Sequence, residues 1–139
     1  MLTQIVANRV YDFSHVVGGR DTQSPVAMAI GAGDLVYLLL RGGMSIYTKV
    51  SKLTVGKEPG DEELVGEFGS LGEGEGEFTW PAGIGLDSHD NVYVTDEWLN
   101  RVSIFDRDGN FLNLWGSPGE GDGQLNRPSG IAVDSEDNL

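Results

Sequence analysis

The sequence contains no cysteine, which excludes a disulfide framework, a thiolate metal site and a cysteine nucleophile. It has two histidines, His15 and His89, too few to build a zinc triad. Basic residues are also scarce: 9 Lys and Arg stand against 22 Asp and Glu, a formal charge of −13. A field of that sign repels phosphate backbones and argues against nucleic acid as a partner. It serves solubility first, with cationic partners or divalent ions as further uses. Long apolar runs are absent. No stretch reaches the roughly 18 to 20 apolar residues that cross a bilayer as a helix, and residues 1–11 lack a basic start followed by an apolar run. The expectation is a soluble cytoplasmic protein with no membrane contact.

What the chain does have is glycine, 21 of 139 residues, with 5 prolines scattered among them. That distribution implies many short elements joined by tight turns rather than a helical bundle. The length suits one domain, and 39% hydrophobic residues suffice for a core.

The organisation follows from a repeat. GSLGEGEGEFTWPAGIGLDSHDN from Gly69 reappears as GSPGEGDGQLNRPSGIAVDSEDN from Gly116, a shift of 47 residues. Pro81 maps to Pro128, Gly83 to Gly130, Ile84 to Ile131, Asp87 to Asp134 and Asn91 to Asn138, so turn formers and apolar positions recur together. An older copy, PVAMAIGAGDLVYLL from Pro25, aligns with PAGIGLDSHDNVYVT from Pro81 at a shift of 56 residues. Within the best unit the apolar residues pair two apart: Ile84 with Leu86, Val92 with Val94, Val102 with Ile104, Leu112 with Leu114. That is the strand period. Between the pairs lie SHDN, EWLN and RDGN, which are hairpin turns by composition, and then the connector SPGEGDGQLNR. A four-stranded antiparallel sheet recurring every 47 residues or so predicts an all-β propeller.

The stretch PAGIGLDSHDNVYVTDEWLNRVSIFDRDGNFLNLWG, residues 81–116, resembles one complete NHL repeat. In that family a Pro-x-Gly-Ile strand, an Asp turn, a Val-Tyr-Val-x-Asp strand and an Asn-Arg-Val strand follow one another. WD40 repeats fit poorly, because no Gly-His start or Trp-Asp end stands at the required places. Kelch blades fit no better, since the double glycines at Gly18 and Gly42 lack regular spacing. The resemblance implies a six-bladed ring of the TolB-like type, of which this chain holds about three blade equivalents. Residues 1–24 read as outer strands of an incomplete blade, 25–77 as a divergent blade, 78–124 as a complete one and 125–139 as the first strands of the next. The divergent copy has Gly31 where Asp87 stands, Leu40 where Asp96 stands, and Met44 and Ser45 where Asn100 and Arg101 stand.

The start, MLTQIVANRVYDF, aligns with YVTDEWLNRVSIF, placing Thr3 on Thr95, Asn8 on Asn100, Arg9 on Arg101 and Phe13 on Phe105. Leu139 corresponds to Val92, so the two ends read as complementary parts of one blade. One account is a homodimer whose copies complete each other's ring. The other, which the position of the end favours, is a piece of a longer propeller.

Candidate chemistry is thin. His89 reads as a polar turn residue and His15 as a partly buried strand residue. Asp106, Asp108, Gly109 and Asn110 resemble part of a calcium loop, but the twelve-residue frame and closing glutamate are missing, so a hairpin turn is the better account. Glu73, Glu75 and Glu77, with Glu120 and Asp122, give the connectors a faint calcium-binding character that a solvated acidic loop explains as well. Their alternating glycines lead into strands and lack the Lys-Ser/Thr of a phosphate loop. No catalytic residue, metal ligand set or cofactor site is assigned.

Pro81, Gly83, Asp87, Asp96, Asn100, Arg101, Pro128, Gly130 and Asp134 are the structural positions of the repeat. Among them a charged hydrogen bond linking Asp96 with the Asn100–Arg101 pair is expected to fix the blade. Loops joining second to third strands, and those joining blades, emerge on one face of a propeller, where loops carry function over rigid sheets. Arg41, Trp80, Glu97, Trp98 and Arg127 fall there. Trp98 is the sharpest binding candidate, a large aromatic in a polar loop.

The resemblance offers two functions. NHL propellers act as protein-interaction platforms, including in ubiquitin ligases of the tripartite-motif class, some of which grip RNA through a basic face that this chain lacks. Similar propellers include the peptide-amidating and streptogramin lyases, which use metal and histidine over the central channel. The expectation is a binding scaffold for a protein or small ligand, with a metal-dependent lyase as the alternative.

Overall fold

The computed structural model describes residues 3–7, 9–14, 16, 22–42 and 47–139. His15, Asn8, Gly18, Met44 and Ser45, all singled out above, lie outside the described residues. Among those described there is no α-helix, and the regular elements are strands.

Two four-stranded antiparallel sheets form the body. The first runs β3 (Pro25–Ile30), β4 (Leu35–Leu40), β5 (Lys49–Thr54) and β6 (Glu63–Phe68) in plain chain order. The second runs β9 (Pro81–Leu86), β10 (Val92–Asp96), β11 (Arg101–Phe105) and β12 (Phe111–Trp115), also in order. All four apolar pairs of the best repeat unit lie in these last four strands. Between the sheets a connector holds β7 (Ser70–Leu71) parallel to β8 (Glu77–Phe78). A separate hairpin pairs β1 (Thr3–Val6) with β2 (Arg9–Asp12).

The sheets do not merge into one. They face each other, β3 against β9, and enclose a core of Tyr37, Leu39, Val50, Phe78, Ile84, Val92, Val94 and Phe105. Phe105 centres an aromatic cluster, with ring centroids 4.9 Å from Phe68, 5.7 Å from Phe78 and 5.9 Å from Phe111. Burial of each such side chain contributes about 1.5 to 3 kcal/mol. Small residues permit the close approach on the far side of β9: Gly85 lies against Ile131 and Val133, and Gly83 against Ser129. Residues 129–133 thus pack on β9 as β9 packs on β3, and form no ladder with any described strand.

The 47-residue shift is visible in the backbone. Gly69 and Gly116 both have positive φ (80° and 102°), as do Gly76 and Gly123 (72° and 73°) and Asp90 and Asp137 (61° and 62°). In the connectors, Gly72 N–H donates to Phe78 O and Gly119 N–H to Leu125 O. Gly74 N–H donates to a Glu77 carboxylate oxygen, and Gly121 N–H to the Gln124 side-chain carbonyl.

Two expectations need correction. In the β1–β2 hairpin Val6 pairs with Arg9, whereas alignment on the second sheet, where Asp96 pairs with Arg101, would pair Gln4 with Arg9. The hairpin turns in two residues rather than four, and Ala7 at φ 49° supplies the left-handed conformation a two-residue turn requires. The second correction concerns Asp96 and Arg101, which bond to backbone groups and not to each other, as described next.

Candidate functional site

The five loop candidates do converge. Trp80, Glu97, Trp98 and Arg127, joined by Asn100, line a groove of about 530 Å³, and Arg41 stands over the Trp80 ring at 4.5 Å. They come from four loops: the β4–β5 loop, the entry to β9, the β10–β11 turn, and the connector that follows β12.

Asp96 holds two of those loops together. Fully buried at the end of β10, its carboxylate accepts from Trp98 and Leu99 N–H at 3.0 and 2.9 Å, capping the turn, and from Thr79 and Trp80 N–H at 2.8 and 3.0 Å. Glu97 N–H donates back to Trp80 O. A buried carboxylate is stable only where such donors replace its water. Arg101, expected to bond Asp96, reaches instead into the preceding connector and donates to the carbonyls of Glu73, Gly74 and Glu77 at 2.9, 2.6 and 3.0 Å. Four backbone amides already occupy the Asp96 carboxylate, while the connector carbonyls supply the acceptors for the Arg101 terminal nitrogens.

Asn100, assigned to structure from the sequence, does that and also lines the groove. At φ 52°, its side chain donates to Trp98 O (3.1 Å) and accepts from Arg127 N–H (2.7 Å), tying the third loop to the fourth. The backbone beneath the groove is therefore fixed while its side chains face outward: Trp98 is 69% exposed and Trp80 49%. Arg127 makes one ion pair, to Glu97 at 3.2 Å, with its side chain three-quarters exposed.

The junctions obey one rule. Arg41 and Glu97 are equivalent under the 56-residue shift, and Trp80 and Arg127 under the 47-residue shift. Arg41 meets Trp80 through cation–π stacking and a hydrogen bond to Pro81 O (3.3 Å), and Glu97 meets Arg127 through charge. The position pair is kept while its chemistry changes.

The other sequence positions lie elsewhere. His89 sits in the β9–β10 turn, at the opposite end of β10 from the groove, its Nδ1 3.2 Å from Ser88 Oγ. Asp87, in the same turn, is lifted by burial, but hydrogen bonds from the Asn91 side chain and backbone, the His89 backbone and the Tyr93 hydroxyl outweigh that and hold it below the usual carboxylate range. Asp134 repeats this turn with Asn138 and Glu136, and is held low chiefly by the Asn138 side chain. Asp106 caps the β11–β12 turn, bonding Asp108 and Asn110, with Gly109 at φ 89°. Pro81 is buried at the start of β9, and Pro128 and Gly130 occupy the matching places in the stretch that packs on β9. No cluster of three or more metal-ligating side chains occurs among the described residues.

Sequence reading missed a second acidic position. Asp90 accepts from Ala32 N–H of the first sheet at 3.2 Å, and Asp137 accepts from Ser88 N–H and Oγ at 2.7 Å. The signal was present in the repeat as SHDN and SEDN, but alignment shows only recurrence and not what a residue reaches.

No family model matches the chain. A stretch of 46 residues, 33% of the chain, is 50% identical to Protein lin-41 of Caenorhabditis elegans, and 45 residues, 32% of the chain, are 38% identical to Protein brain tumor of Drosophila melanogaster. Both are NHL-repeat proteins. The matched length is that of one repeat, so the likeness supports NHL-type repeats in this chain at the level of the unit. Each match takes in 4% of the relative's own length. The likeness gives no support to the exclusion of nucleic acid argued from net charge. A sum over the whole chain does not describe one face, and this face carries Arg41 and Arg127.

Proposed function

We propose that the chain is a binding scaffold, an NHL-type propeller segment that takes a protein or small ligand on the face formed by Arg41, Trp80, Glu97, Trp98 and Arg127. The observation that carries this is the groove itself: two indoles left open to water above a backbone locked by Asp96 and Asn100. Exposed aromatics on a rigid base are what interface anchors require, since little conformational freedom is lost on binding. The finer reading has these blades in a six-bladed, TolB-like ring, completed either by a second copy or by further blades of a longer chain, in a soluble cytoplasmic protein. A lyase would need its catalytic groups elsewhere, because the groove holds no histidine.

The test is affinity capture with the wild-type chain and with Trp98→Ala as paired baits, after matching their thermal melts. The expected result is a set of partners retained by the first and lost by the second at equal melting temperature. Retention of the full set, or a lowered melting temperature that makes Trp98 a packing residue, would remove the reading.

A further inference from the structure

The groove has a sign that the net charge only hints at. The connectors leading into Trp80 and Arg127 carry Glu73, Glu75 and Glu77, and Glu120 and Asp122; Glu77 is half-buried and the other four are exposed. They run over the same face as the β10–β11 turn, since Arg101 bonds the first of them at Glu73, Gly74 and Glu77. Glu97 stands in the groove wall. Among the described residues three arginines share this face, but Arg101 is spent on backbone carbonyls, Arg41 on Trp80 and Pro81 O, and Arg127 on Glu97.

The chain also displays the contact such a wall makes. Arg41 stacks on the Trp80 indole, while Trp98, the more exposed indole, has no ring or cation contact of this kind among the described residues. An indole face beside a carboxylate is the arrangement that attracts a guanidinium or ammonium group. Arg127 fills the place of that cation at Glu97 through a single exposed ion pair, a contact worth at most about 1 kcal/mol.

We infer that the groove recognises an arginine- or lysine-bearing peptide segment, whose cationic side chain lies over Trp98 and displaces Arg127 from Glu97. This rests on the binding-face reading and deepens it by naming the ligand chemistry. The global charge of −13 assists by steering basic segments toward the face.

Displacement fixes the sign of the test. The probe is an acetylated, amidated octapeptide with two adjacent arginines in a glycine-serine background, compared with versions carrying glutamine or glutamate in their place. A short uridine oligonucleotide serves as the phosphate control. Binding is read by indole fluorescence and calorimetry at low salt. The arginine peptide is expected to bind about tenfold more tightly than the glutamine one, with Trp98→Ala erasing that difference and Glu97→Gln reducing it about threefold. Arg127→Gln should strengthen binding, because it frees Glu97. Weaker binding by Arg127→Gln, or preference for the glutamate peptide or the oligonucleotide, would overturn the inference while leaving the groove as a site, provided those ligands still depend on Trp98. Indifference of every probe to Trp98→Ala would sink the groove reading as well. Trp98→Phe, which keeps an aromatic face, separates loss of stacking from loss of fold and should retain most of the arginine preference.

Discussion

Tyr37 and Tyr93 occupy equivalent positions and meet opposite fates. Tyr93 donates its hydroxyl to Asp87 at 3.1 Å, but the position equivalent to Asp87 in the first sheet is Gly31, and the Tyr37 hydroxyl is buried without a partner among the described residues. Gly31 lies so close to the Tyr37 ring that an added Cβ would stand 2.7 Å from it, so the lost carboxylate and the inward ring are one change. Tyr37→Phe is therefore expected to be neutral or stabilising in urea melts, and Tyr93→Phe to cost about 1 kcal/mol. Protonation tests the same turns. Asp87, Asp106 and Asp134 are all held below 3.8, so their contribution is full above that value and is lost as pH falls through their lower folded values. Stability should stay level from neutral pH down to about 5 and fall steeply below 4, and Asp87→Asn should flatten that fall. A steep loss between pH 7 and 5 would contradict it.

The strands of the best unit are legible because period-two apolar pairs and turn residues agree there, while the drifted first sheet announces itself only through its alignment to the second. The loop candidates were found because strand order alone decides which end of a blade a loop leaves. Asp96 and Arg101 show where legibility stops: their positions are fixed by the repeat, but the partners depend on backbone amides and carbonyls that every sequence has. The same holds for the connectors. Gly69 lies against the Phe78 ring at φ 80°, the left-handed region where a side chain is strained. Gly69→Ala is expected to cost about 2 kcal/mol or more in chemical denaturation, combining that strain with displacement of a fully buried ring. An unchanged midpoint would show that the connector yields freely.

Among the described residues the junctions between sheets set large side chains against small ones. Ile84 of β9 is buried in the core shared with the first sheet, and Ala27 and Ala29 of β3 pack against that core, while Ile131 and Val133 meet Gly85. On the outer side of β3, Val26, Met28 and Ile30 are 37%, 57% and 73% exposed, and Gly130 and Ala132 are exposed at the other extreme. One of these faces carries large side chains and the other small ones, as at the internal junctions. Closure by a second copy would give twice the 14.9 kDa chain mass in light scattering, with Met28→Glu returning a monomer; a wild-type monomer would exclude it. Direction is built into the junctions too. The β3–β4 and β9–β10 turns are each clasped by an aspartate from the unit that follows: Asp90 closes on Ala32, and Asp137 on Ser88. A chain synthesised from its amino end thus leaves every such turn open until its successor has emerged, and tightening travels backwards along the polypeptide as it grows.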